Sequence, residues 1–385
     1  MHDAVDRRVA PPSRWDLVIG LVFVLVVTVP GLALLAGVRP PQLENAAAAP
    51  WPSLDVPALG EPRTYSAVDS AIIDRLPGRD VAVGAYAGLD YRLLGGSIDR
   101  QVVVGRGSWL WYRGELEPTC SRSAADLLGD VDRIGAAAAK AGVDVHVTIA
   151  PDKHVIHPTW LPERPTFAPC TDDRRAELRA GFAARPSTTV DLWSVVMAAR
   201  DQASEPIYFD QDSHWRPEAA LPAIGSVVDA VVPGLWSAKA YTASRTDDFP
   251  MELARLNGLP RSASIPHYRV RPDERVERRV IDPGVHLSHA ADVTDYHVSG
   301  PLDTVPGTTL IVYDSFFNIE RPLLIPWFER SIWVQAQDLR DHPELATRLP
   351  RIDHIVMERV ERDAYGMDIA ELLQPVLDAR ASAAP

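Results

Sequence analysis

Residues 309–318 read TLIVYDSFFN. The run TLIVY is short, apolar and rich in β-branched and aromatic residues, which suits a strand buried on both faces. Asp314 and Ser315 then interrupt it, so the strand ends by displaying a serine hydroxyl at the rim of a sheet. The same pattern recurs along the chain. VDVHVTI (143–149) reads as a strand running into the loop APDKHVIHP, and TTVDL (188–192) reads as another. Ser331–Val334 and Ile352–Met357 are further short strands. Helices are expected between them: an Ala-rich one from Ala124 to Ala141 stopped by Gly142, one over 172–184, one after TTVDL, and a closing one over 369–379. Strands alternating with helices predict a three-layer α/β fold with a mainly parallel sheet covered on both faces. Ligands of such sheets sit beyond the carboxyl ends of the strands. The loops there carry Pro-Asp-Lys after Ile149, Asp-Ser after Tyr313 and Glu-Arg after Met357. QVVVGRGSWLWYRGE (101–115) predicts a hairpin at the domain entrance, with Arg113 and Glu115 on its rim.

The other decisive stretch is LVIGLVFVLVVTVPGLALLAGV, residues 17–38, which carries no charge. About 20 apolar residues span a bilayer as helix, and Arg7, Arg8 and Arg14 before the run fit a cytoplasmic start. The expected organisation is a cytoplasmic N-terminus (1–16), a transmembrane anchor (17–38), a linker (39–62) and an extracytoplasmic domain (63–385). NAAAAP (45–50) leaves a cleaved signal as the alternative. The formal net charge of −13 argues against a nucleic-acid partner, which needs a basic footprint. Outside the cytoplasm, Cys120 and Cys170 are free to form a disulfide; two unpaired thiols are the other reading. His154/His157 and His286/His289 share an H-x-x-H spacing. No glutamate completes a metalloprotease motif, so neither a metal nor a cofactor is expected.

A serine hydroxyl needs a base within reach, and the base needs an orienting carboxylate. YFDQDSHW (208–215) places Asp212 and His214 two residues apart, where the carboxylate can reach the imidazole. With Ser315 they compose a nucleophile, a base and an orienting acid. A helix cap is the commoner use of such a serine, and a surface turn that of such an Asp-x-His. Backbone amides at Ser315 and Phe316 are candidates for an oxyanion site. Lys153 and Trp215 are candidates to border the substrate, as are Tyr313 and Asn318; Asp152 and Lys153 read equally as a surface pair, and Asn318 as a helix-start residue. Trp109, Trp111 and Trp160 are either sugar platforms or core.

Four segments, taken in order, resemble the alginate O-acetylation proteins of the AlgX/AlgJ type, a family with an SGNH-hydrolase-like domain. They are VVVGRGSWLWYRGE, IAPDKHVIHP, YFDQDSHW and VYDSF; HIVMERVERD (354–363) is similar to the family's last strand. In that family the Asp-x-His pair precedes the serine, as Asp212 and His214 precede Ser315 here. Tyr313 stands where the family commonly has glycine, and residues 236–304 have no evident counterpart. The resemblance implies a membrane-anchored O-acetyltransferase acting on an exported or cell-envelope polysaccharide. It also implies an acyl-Ser315 intermediate and a multipass membrane acyltransferase as donor. A carbohydrate O-acetyl esterase and a non-catalytic glycan-binding scaffold are the alternatives.

Overall fold

The computed structural model describes residues 13–38, 49–53, 55–119, 121–163, 171–236, 241–259, 261–270, 274–287 and 292–382. The chain divides into two units, Met1–Ile98 with Arg255–Pro260, and Asp99–Ala254 with Arg261–Pro385. In the first unit the apolar run is a helix, Arg14–Leu35, that starts and stops three residues before the expected anchor. Ser13 caps it and Asp16 reaches back to the Ser13 amide, a reciprocal pair that satisfies two amide donors. It is long and apolar enough to cross a membrane. Helices Pro62–Ile73 and Arg79–Leu89 follow. Buried Asn257 accepts hydrogen bonds from Ser97 Oγ and the Ile98 amide, both at 2.9 Å.

The second unit opens with the expected hairpin, β1 (Val102–Val104) and β2 (Leu110–Tyr112). The remaining strands are β3 (Asp144–Ala150), β4 (Thr189–Val190), β5 (Tyr241–Pro250), β6 (Ser262–Val270), β7 (Arg275–Ile281), β8 (Val293–Ser299), β9 (Val305–Tyr313), β10 (Phe328–Gln335) and β11 (His354–Val360). Among the described residues the main sheet runs β4-β3-β11-β9-β10-β8-β7, and β5 pairs with β6 as a separate antiparallel ribbon. From β4 to β10 every pairing is parallel. β8 and β7 then add on antiparallel, so the sheet is mixed. Both strands come from residues 236–304, which have no evident counterpart in the family, and β7 forms the edge. β7, RVERRVI, is exposed along nearly its whole length, and its charges suit a sheet edge that must not recruit another chain.

Alternation along the central strands builds the layers. Leu310 and Val312 of β9 join Ile355 and Met357 of β11 against the helices Ala124–Ala141 and Ile369–Ser382. Ile311, Tyr313 and Val356 face the opposite layer, with the helices Pro217–Val231 and Ser315–Leu324. Ala124–Ala141 buries Leu127, Val131, Ile134 and Ala138, spaced to lie on one helical face, and ends at Gly142 with φ 64°. One expected boundary moves. β11 continues three residues past Met357, so Glu358 and Arg359 lie within the strand and the loop's Glu-Arg pair is Glu361–Arg362. The charged pair looked like a strand end. Sandwiched between β3 and β9, Glu358 instead stays in the sheet, fully buried.

Candidate active site

The Asp-x-His segment is a compact turn. Tyr208 and Trp215 pair across its base, and the Phe209 amide donates to the His214 carbonyl at 3.3 Å. Within it, Asp212 Oδ1 accepts from His214 Nδ1 at 2.7 Å and from the His214 amide at 2.9 Å. Its Oδ2 accepts from the Glu252 amide at 2.6 Å. Both residues are buried. Burial alone would lower the His214 pKa; the Asp212 charge and hydrogen bond outweigh it and raise it. Burial would raise Asp212, and the same partnership holds it below the ordinary carboxylate range. With Nδ1 committed to Asp212, Nε2 is the basic atom, and it has no hydrogen-bond partner among the described residues.

Ser315 opens the helix Ser315–Leu324 and is exposed. Asp314 is that helix's N-cap: Oδ1 accepts from the Phe316 amide at 2.9 Å, and Oδ2 accepts from the Val360 amide at 2.7 Å. The cap therefore also joins the ends of β9 and β11. The Phe316 amide, a candidate oxyanion donor by sequence, is held by this carboxylate. Burial and the neighbouring Asp314 push the Glu358 carboxyl far up, which keeps it neutral beneath the cap. The Phe316 ring lies 5.0 Å from the His214 ring and edge-on to Trp215 at 5.1 Å. The start of this helix and the Asp-x-His turn are thus neighbours. No hydrogen bond joins Ser315 to His214 among the described residues, and catalytic hydrogen bonds are often loose without substrate.

Lys153 is fully buried rather than on a pocket edge or the surface. Its ammonium donates to three backbone carbonyls: Leu110 at 2.6 Å, Asp212 at 2.8 Å and Asp210 at 3.1 Å. Trp109 and Trp111 flank it, each ring centroid 4.9 Å from Nζ. Trp160 stacks on Trp109 at 5.5 Å, so these three tryptophans are scaffold. Glycine is required at 105, where a Cβ would lie 2.2 Å from Trp111 Nε1. Three of the four resemblance segments therefore meet around one buried cation that pins the Asp-x-His turn. Burial lowers Lys153 to about 8, against the pull of Glu115, Asp212, Asp210 and Glu252. Glu115 is itself buried, not on the hairpin rim, and holds the His154 amide. Asp152 turns away from Lys153 to Arg362, 2.6 Å off, which links the loops after β3 and β11.

Tyr313 is buried in the layer under the Ser315 helix, edge-on to Trp333 at 5.3 Å, with its hydroxyl bonded to Arg321. The ring packs in the same layer as Phe316 and Phe317, where Trp333 and Arg321 take it up. Asn318 accepts from Arg321 at 2.8 Å. Trp215 is fully buried. Cys120 and Cys170 lie outside the described residues.

Glu252, at the start of the short helix Glu252–Leu256, was not singled out by sequence. Its carboxylate accepts from Ser213 Oγ at 2.7 Å and lies 3.8 Å from His214 Nδ1. It is a second carboxylate raising the imidazole pKa, behind Asp212. Forty residues separate it from the turn and no local pattern marks it. Glu252→Gln should lower the His214 pKa and move the acid limb of a pH–rate profile to lower pH. An unmoved limb would show that Glu252 has no electrostatic role. Asp212, His214 and Glu252 could also offer ligand atoms to a metal, all within 4.8 Å of one another. His214 Nδ1 and both Asp212 oxygens are already spent on hydrogen bonds within the group, which suits an oriented base better than a cation site.

Residues 102–292 match the family model described as the SGNH hydrolase-like domain of the acetyltransferase AlgX. No curated protein sequence matches the chain. Among solved structures it is similar to the O-acetyltransferase domain of Pseudomonas putida AlgJ, with 16% identity over 71% of this chain and 98% of that one and a TM-score of 0.47. It is also similar to Bacillus cereus PatB1 (12% identity, 68% and 96% covered, TM-score 0.46) and to Pseudomonas aeruginosa AlgX (12%, 70% and 66%, TM-score 0.41). Over residues 102–292, the chain carries an SGNH hydrolase-like domain of the AlgX acetyltransferase family.

Proposed function

We propose that this protein is a membrane-anchored serine O-acetyltransferase that modifies hydroxyls of an exported or cell-envelope polysaccharide. The observation that carries the reading is the buried Asp212–His214 pair, bonded at 2.7 Å, whose Nε2 is unpaired beside the helix that begins with exposed Ser315. In this mechanism His214 Nε2 takes the Ser315 proton as Oγ attacks the donor's carbonyl carbon. The donor's leaving group departs with that proton, and acyl-Ser315 forms. A sugar hydroxyl then attacks the acyl carbon, losing its proton to Nε2, and that proton passes to Ser315 Oγ as the acyl–Oγ bond breaks. Asp212 holds the ring in the Nδ1–H tautomer and stabilises the imidazolium. The family resemblance supports a multipass membrane acyltransferase as the donor-side partner. If water replaces the sugar, the same groups hydrolyse the acyl-enzyme, which is the esterase alternative.

Treatment of the protein with a serine-reactive sulfonyl fluoride should add one adduct, located at Ser315 by peptide mass mapping. Ser315→Ala should take up none. An unlabelled Ser315 in the wild type would favour the non-catalytic scaffold. An activated acetyl ester offered with and without a glycan acceptor then separates transfer from hydrolysis.

A further inference from the structure

A cleft of about 130 Å³ lies within the second unit, lined by Phe209, Trp215, Phe249, Tyr268, Ile319 and Glu320 among others. Its walls come from three places. Phe209 and Trp215 flank the Asp-x-His turn in sequence. Phe249 of β5 and Tyr268 of β6 form the ribbon wall, with Phe249 stacked on Phe209 at 5.2 Å. Ile319 and Glu320 belong to the Ser315 helix. Ile319 is four residues beyond Ser315, roughly 6 Å of helical rise, on the same face. The cleft thus begins one turn from the proposed nucleophile.

Glu320 is the anomaly in this lining. It is only 7% exposed, yet it has no hydrogen-bond or ion-pair partner among the described residues. Its oxygens keep some accessible surface, so a ligand that fills the cleft displaces their water and must supply hydrogen bonds in its place. No lysine or arginine lines the cleft among the described residues. We propose that this cleft is the subsite for one neutral sugar ring of the acceptor, with the half-buried Phe249 and Tyr268 of the ribbon wall meeting its C–H face and Glu320 bonding its hydroxyls. This rests on the reading of the protein as a polysaccharide O-acetyltransferase. An acyl chain would suit the aromatic walls but leave Glu320 unpartnered. A uronate would bring a second carboxylate beside Glu320, while the Arg216 guanidinium, which lies over the Phe209 ring, is already paired with Glu218.

The protonation state fits a neutral ligand. Burial pushes the Glu320 pKa up to about 8; His214 opposes this and Glu218 adds to it. Tyr268 is the other titratable group in the lining. At neutral pH Glu320 is therefore a neutral acid, one donor and one acceptor, able to meet two adjacent hydroxyls.

The test uses the full-length protein in a non-glycosidic detergent, with ligand-observed saturation-transfer NMR. The probes are the methyl glycosides of glucose, galactose, mannose and N-acetylglucosamine, plus methyl glucuronide and ethyl hexanoate. At least one neutral glycoside should bind at pH 7, and binding should weaken as pH rises through about 8. Glu320→Ala should weaken it about tenfold, the scale of a lost hydrogen bond to a buried group. Glu320→Gln keeps a donor and an acceptor at every pH, so it should bind without that pH dependence, even if the alanine variant fails to fold. Preferred binding of the glucuronide or the hexanoate would overturn the proposal, as would binding of no neutral glycoside or a wild-type pH profile in Glu320→Gln. Sulfonyl labelling of wild-type Ser315 is read in parallel. Labelling without sugar binding defeats this proposal alone, whereas sugar binding without labelling defeats the catalytic reading and with it the acceptor role, leaving a sugar-binding cleft.

Discussion

Ser315→Ala is expected to lower kcat for acyl transfer by roughly 10⁴-fold or more, with the fold and melting temperature unchanged. Ser315 is exposed and its side chain carries no packing, so the loss would come from chemistry. His214→Ala should cost about as much, and the double variant should be little worse than either single one, because nucleophile and base act as a unit. Asp212→Asn should also cost roughly 10⁴-fold, by favouring the wrong tautomer of His214. The pH dependence has a definite sign. Nε2 accepts a proton only in the neutral ring, and Asp212 raises the His214 pKa above its usual value. Activity should therefore be full on the alkaline side and fall as pH drops through that raised pKa. The check is kcat measured with an activated acetyl ester across pH, for wild type and each variant. A Ser315→Ala enzyme retaining a tenth of wild-type kcat would end the nucleophile assignment.

Lys153→Met is the substitution with the largest expected effect on stability. Methionine keeps much of the stem but removes the ammonium that the carbonyls of Leu110 and Asp212 accept from, while the Asp210 carbonyl keeps the Leu110 amide at 2.8 Å. Each buried acceptor left unpaired costs about 1–3 kcal/mol, so for two of them a loss of about 2 kcal/mol or more is expected. The same change loosens the Asp-x-His turn, which is then held to the hairpin only by the Leu110 amide–Asp210 and Gln211–Ser108 bonds, so activity should fall beyond what the lost stability explains. Urea unfolding reads the first effect and kcat at low temperature the second. A loss under about 1 kcal/mol would mean that water satisfies the Leu110 and Asp212 carbonyls in place of the ammonium. Lys153→Arg should not rescue, because a planar guanidinium cannot point three donors where a tetrahedral ammonium does.

Much of the fold was legible because the central strands are buried on both faces and read as short apolar runs. TLIVY and VDVHVTI became β9 and β3 within a few residues. HIVMERV misled at its end, since a charged pair normally marks a loop and only the neighbours β3 and β9 keep Glu358 buried. The edge strand β7 carries no such signature, because an exposed edge has no hydrophobic period to display, and β8, buried between β10 and β7, is interrupted in sequence by Asp295 and His297.

The candidate site divides in the same way. Local sequence determined the parts whose geometry is local: Asp212 two residues from His214, closing a turn that bonds itself, and Ser315 at the step from strand to helix. The order of the segments determined the family resemblance. Only the tertiary structure decided that Lys153 is a buried clamp, that Tyr313 faces the helix layer, and that Glu252 and Glu320 stand near His214. Each of those roles depends on a partner tens of residues away. Hydrogen bonds, burial and charge act through space, and chain spacing reports them only where backbone geometry brings neighbours in sequence together.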